Sequence, residues 1–135
     1  GVQTCALPIF DLTDAQAELK AGNYPLARSM IEAQFQLGNL DAGYLLADVY
    51  AQGLGGKPDP TRAFALISDL AGRGETAAAF NLGGCHEFGI GVAIDYSKAA
   101  AAYRRAAEAG NLQAMVAMLM ASAPAQPQRG ARAAQ

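Results

Sequence analysis

The chain has no tryptophan, one histidine and two cysteines, and only 16% of its 135 residues are charged. A lone histidine removes the ordinary donor sets of zinc and any second histidine for a thiol nucleophile, so no metal, no cofactor and no catalytic residue is expected. Two cysteines cannot build a disulfide framework. A net charge of −2 supplies no general attraction toward nucleic acid or an anionic membrane. The longest apolar stretch, AMVAMLMA from Ala114 to Ala121, falls well short of the roughly 20 residues a membrane-spanning helix needs. Neither a nucleic-acid partner nor membrane insertion is expected.

What the chain has is alanine, the main contributor to a hydrophobic fraction of 52%. Alanine favours helix and adds little bulk, so helices made from it approach closely. The length allows one domain with a packed core.

An internal repeat organises the alanines. Gly38, Gly74 and Gly110 fall 36 residues apart, and the intervening segments align without a gap. Ala42 pairs with Ala78 and Ala114, Leu46 with Leu82 and Met118, Gly53 with Gly89, Gly55 with Gly91, Asp59 with Asp95, and Ala63 with Ala99. Each unit reads as two helices. Ala42, Leu46 and Tyr50, or Ala78, Leu82 and His86, lie four apart on one face of the first. A glycine-bearing turn follows, and Asp59 or Asp95 suits the N-cap of the second helix, with Pro60 at a position where a missing N–H is harmless. Ala63, Ile67 and Leu70, or Ala99, Tyr103 and Ala106, then face inward. The expected units are 11–37, 38–73 and 74–109, with a partial unit at 110–122 and a disordered Pro/Ala/Gln tail at 123–135.

The segment AAAFNLGGCHEFGIGVAIDYSKAAAAYRRAAEAGN resembles a unit of the Sel-one-like repeat family, a relative of the tetratricopeptide repeats. Ala78, Leu82, Gly83, Gly89, Gly91, Val92, Asp95, Lys98, Ala99, Tyr103, Ala106, Ala107 and Gly110 carry the resemblance. His86 departs from it where tyrosine is usual, and the first unit is looser, with Ala47, Gly56 and Arg62 at motif positions. The resemblance implies an all-α fold, a right-handed superhelical solenoid of antiparallel helix pairs whose concave face binds proteins or peptides. A secreted subgroup pairs cysteines between the two helices of each unit; Ala79 and Ala107 stand near those positions here.

Chemical readings of single motifs are weaker than structural ones. Gly89 to Gly91 follows a helix and lacks the third glycine of a dinucleotide fingerprint, so it reads as a turn. Cys85, His86 and Glu87 are consecutive, and helical neighbours point about 100° apart, so they cannot converge on one ion. Met115, Met118 and Met120 are expected near the inner face of the last helix, and Arg73, Arg104 and Arg105 in solvent. MVAMLM is unusually apolar for a terminal helix, so either more chain follows or this end self-associates.

The function expected is that of a protein-interaction adaptor or scaffold without chemistry of its own. Leu45, Val49, Gln52, Asn81, Cys85 and Phe88, one period apart on the first helices, are the expected partner contacts. A second reading stays open: a repeat segment of an envelope-associated or secreted protein, attached to a catalytic domain upstream. Residues 1–10 read as a non-native segment. Gly1 to Ile9 back-translate to GGA GTT CAG ACG TGT GCT CTT CCG ATC, which resembles a sequencing adapter, and they lack the basic n-region, the continuous apolar core and the cleavage site of a secretory signal. Amplifying the source gene from upstream primers should return other codons before Asp11; those nine codons in genomic DNA would reject the reading.

Overall fold

The computed structural model describes residues 10–121. The expectations for 1–9 and for the 123–135 tail lie outside them. The described chain is seven α-helices with no strand: α1 (Leu12–Ala21), α2 (Tyr24–Gln36), α3 (Leu40–Gln52), α4 (Pro60–Gly72), α5 (Thr76–Phe88), α6 (Tyr96–Glu108) and α7 (Leu112–Ala121).

Side-chain caps set where α1, α3, α4, α6 and α7 begin, while α2 and α5 start without one. Asp59 Oδ1 accepts from the Arg62 N–H at 3.0 Å and Asp95 Oδ1 from the Lys98 N–H at 3.1 Å, the two N-caps expected from the repeat. Asn39 and Asn111 cap α3 and α7 in the same way, accepting from Asp41 and Ala114. At α1, Asp11 and Asp14 exchange backbone-to-carboxylate bonds in a reciprocal capping box.

The helix stops repeat just as strictly. After α4, Gly74 takes φ +91°, its N–H donates to the Ala71 carbonyl at 3.0 Å, and the Glu75 N–H reaches back to Leu70 at 3.2 Å. This double bond pattern satisfies carbonyls that the helix end leaves open, and the left-handed backbone it requires favours glycine. The same pair of bonds closes α2 at Gly38 and α6 at Gly110.

The chain divides into two compact units, residues 1–67 and 68–135. The division falls inside α4. In the first unit α2 packs against both α1 and α3. Its buried residues include Ala15, Ala27, Ile31, Ala42, Leu46, Tyr50, Ala63 and Ile67, the last five on the faces expected for α3 and α4.

In the second unit α6 packs against both α5 and α7. Ala79, Ala106, Ala107 and Ala114 form its core cluster, with Phe80 and Met118 against it. The Tyr103 ring packs against α5 at Gly83, where an added Cβ would stand 2.5 Å from it. Phe80 completes the contact, its ring centroid 5.5 Å from that of Tyr103.

Gly83 is thus a packing requirement and Gly84 is not, since a Cβ at Gly84 would meet the Tyr103 hydroxyl oxygen at an ordinary 3.8 Å. We expect Gly83→Ala to destabilise by about 1–3 kcal/mol through overpacking. Gly84→Ala should instead stabilise, by up to about 1 kcal/mol, through helix propensity. Urea unfolding of the two variants checks the opposite signs.

Candidate functional site

The polar chemistry of the first unit gathers on Tyr50, near the end of α3. Its ring is 3% exposed, and its hydroxyl donates to Glu32 Oε2 of α2 at 3.0 Å. Two guanidinium groups approach the ring, that of Arg28 at 4.9 Å and that of Arg62 at 4.4 Å from the centroid. Both distances are within the range of cation–π attraction. Burial pushes the Tyr50 hydroxyl pKa above its usual value, Glu32 adds to the rise, and Arg62 and Arg28 oppose it.

Beside this ring is a groove of about 390 Å³ lined by Glu32, Phe35, Gln36, Leu46, Tyr50, Arg62, Ala65 and Leu66. A lining that mixes apolar side chains with a carboxylate and a guanidinium suits one side chain of a partner. The arrangement holds no nucleophile poised by a base.

In the second unit Tyr103 of α6 donates its hydroxyl to Glu87 of α5. Burial, and then that bond and the Glu87 charge, hold its pKa well above the ordinary tyrosine value. His86 occupies the repeat position of Tyr50 and is buried. Its carbonyl accepts from the Asp95 N–H at 2.8 Å, as the Tyr50 carbonyl accepts from Asp59 at 2.7 Å. Cys85 is a free, buried thiol whose pKa burial raises, the opposite of what activates a nucleophile. Among the described residues no three His, Cys, Asp or Glu side chains gather to hold a metal, and no helix is long and apolar enough to cross a membrane.

The six expected partner contacts separate. Gln52, Asn81 and Phe88 are exposed and Leu45 is half-buried. Val49 and Cys85 are corrected: at 1% and 2% exposure they are core, out of reach of a partner. Met115 and Met120 are also corrected, since both are exposed and only Met118 packs inward. Arg105 is not simply solvated, because its Nη2 donates to the Ala71 carbonyl at the end of α4, at 2.6 Å. Arg73 pairs with Asp69 at 2.9 Å on the surface.

Sequence reasoning missed Arg28 and Glu32, which reach Tyr50 from another helix. It also missed Ile90, Ile94 and Tyr96. These are exposed with Phe88 around the α5–α6 turn, and their signal was four large apolar residues where a loop is ordinarily polar.

Helices alone, repeated every 36 residues with the same glycine stops, define an all-α helical-repeat protein of the solenoid class. The chain belongs to the Sel1 repeat family, whose repeat is matched at residues 31–68 and 76–111. Such repeats are generally protein-interaction modules. A crystal structure of a Sel1 repeat protein from Oxalobacter formigenes superposes with a TM-score of 0.70 at 28% identity, covering 80% of this chain and 44% of that one. Helicobacter pylori cysteine-rich protein B shares the fold at a TM-score of 0.59 and 16% identity, over 79% of this chain and 96% of that one. The chitin synthase regulator SKT5 of Saccharomyces cerevisiae is 33% identical over 101 residues, 75% of this chain. The chain spans only 14% of the length of that relative.

The two tyrosines make stability depend on alkaline pH. A raised folded pKa means the native state holds the proton longer than the unfolded chain does. The stabilisation is therefore complete below the unfolded value near 10 and is lost as pH rises above it. We expect the urea midpoint to decline above pH 10, and Tyr103→Phe to flatten that decline while lowering stability at pH 7 by about 1–2 kcal/mol.

Proposed function

We propose that this chain is an adaptor segment that binds a protein or peptide, and that in its second unit the contact is made by the turn from α5 into α6. One observation carries the reading: Phe88, Ile90, Ile94 and Tyr96 are 68%, 40%, 54% and 69% exposed within nine residues. Tyrosine is among the side chains on which binding energy concentrates, and apolar neighbours contribute by excluding water around it.

The turn is held ready for such contact. The Ile90 N–H donates to the Cys85 carbonyl at 3.0 Å, the Asp95 N–H to His86 at 2.8 Å, and the Asp95 carboxylate caps α6. An anchored loop loses little freedom on binding, so more of the contact energy appears as affinity. Asn81 on α5, and Leu45 and Gln52 on α3, belong to the proposed surface of their respective units. The groove beside Tyr50 offers the first unit an opening for one partner side chain. Chemistry of its own is no part of this reading; a catalytic domain, if the protein has one, is expected outside this segment.

A peptide selected on the folded chain by display should bind the Phe88→Ala and Tyr96→Ala variants at least about tenfold more weakly, or about 1.4 kcal/mol. Val49→Ala should change stability instead. Unchanged affinity in both turn variants, at unchanged far-UV helicity, would remove the turn from the binding surface.

A further inference from the structure

Two guanidinium groups converge on the Tyr50 ring, and among the described residues neither side chain meets a hydrogen-bond acceptor. Arg28 and Arg62 stand 4.9 and 4.4 Å from the ring centroid. No carboxylate among the described residues pairs with either. The acidic side chains that touch this cluster are already hydrogen-bonded: Glu32 Oε2 accepts the Tyr50 hydroxyl, and Asp59 Oδ1 accepts the backbone N–H of Arg62 at 3.0 Å. Nη1 of Arg28 is buried without a partner among the described residues. A cation–π contact draws on the charge of a guanidinium and leaves its N–H donors open.

The sequence makes room for this arrangement. Arg28 fits because residue 56 is glycine; an added Cβ there would overlap Arg28 Nη1. One period on, Gly56 becomes Val92, Arg28 becomes Phe64 and Tyr50 becomes His86, so the constellation is not repeated. A buried guanidinium nitrogen left unpaired costs stability, and two like charges beside one ring add to that cost. A bound anion offsets the repulsion.

Arg62 is the exposed member of the pair and lines the groove of about 390 Å³ beside Tyr50. A ligand in the groove meets Arg62 directly and Arg28 through its charge. What the site lacks is a negatively charged acceptor, and a carboxylate presents its oxygens in the geometry of the guanidinium fork. A basic side chain of a partner would be opposed by both cations, and a neutral one would leave the donors open. Leu46, Ala65 and Leu66 in the lining suit the methylene groups that carry a side-chain carboxylate.

We propose that the groove beside Tyr50 binds an Asp or Glu side chain of the partner, with Arg62 pairing to its carboxylate and Arg28 adding its charge. This rests on the reading of the chain as a binder of proteins or peptides, and it names the partner chemistry for the first unit.

Peptides selected by display on the folded 135-residue chain are the probes. They are synthesised with acetylated and amidated ends, so that side chains carry their only carboxylates. In at least one selected family, replacing a single Asp or Glu by Asn or Gln should weaken binding at least about tenfold, and Arg62→Gln should cost a similar factor with far-UV helicity intact. The two changes together should cost little more than either alone, because both remove one contact. Arg62→Lys keeps the charge without the fork; it should fall between, and it decides the matter if the glutamine variant unfolds. Binders of which none loses affinity to both changes overturn the proposal and leave the adaptor reading intact. Failure to select any binder overturns both.

Discussion

Close approach between helices through alanine and glycine is the constraint on which the rest of this structure depends. With so little bulk at Ala79, Gly83, Ala106, Ala107 and Ala114, backbones come near enough for one aromatic ring to fill the remaining space. The 36-residue spacing serves that contact. It returns small residues, Gly43 and Ala47 then Ala79 and Gly83, to the same face of α3 and α5 only if every helix starts and stops on schedule. The caps at Asp59 and Asp95 and the paired closing bonds at Gly38, Gly74 and Gly110 keep that schedule. Local hydrogen bonding and tertiary packing thus agree, which is what lets a charge-poor sequence specify one register.

Much of the fold was legible for this reason. Repeats, caps and stops are local signals, and Asp59, Asp95, Gly74 and Gly110 do what their chemistry demands. The buried faces at Ala42, Leu46 and Tyr50 followed from spacing alone. The surface was harder to read. In α3 only Asp41, Asp48 and Gln52 carry strongly polar side chains, so periodicity leaves the outward direction poorly defined. Val49 was placed one step round the helix from its true position, and Cys85, its repeat equivalent, carried the same error. A helix apolar around most of its circumference has a period but little phase.

The exposed turn illustrates a different limit. Phe88, Ile90, Ile94 and Tyr96 are apolar residues spread over a helix end, a loop and a helix start, so no periodic template collects them. Only their exposure separates them from core. Their counterparts one period earlier, Gln52, Leu54, Pro58 and Pro60, include no aromatic side chain. The positions the units share are committed to packing, so the units differ from one another at departures such as these.

The same reasoning applies to the two tyrosine–carboxylate pairs. Glu32 and Tyr50 shift by one period to Ser68 and His86, while Glu87 and Tyr103 shift back to Ala51 and Ile67. Each pair appears once, and where it is absent both members have been replaced. The energetics of buried hydrogen bonds favour that pattern: losing one partner leaves the other desolvated and unpaired, whereas replacing both with shapes that pack is close to neutral. At these positions the two members of a pair therefore change together, whereas elsewhere single positions differ, as Ala47 and Gly83 do. The coupling spans 16 residues for Glu87 and Tyr103 and 18 for Glu32 and Tyr50, and only the folded backbone brings those positions together.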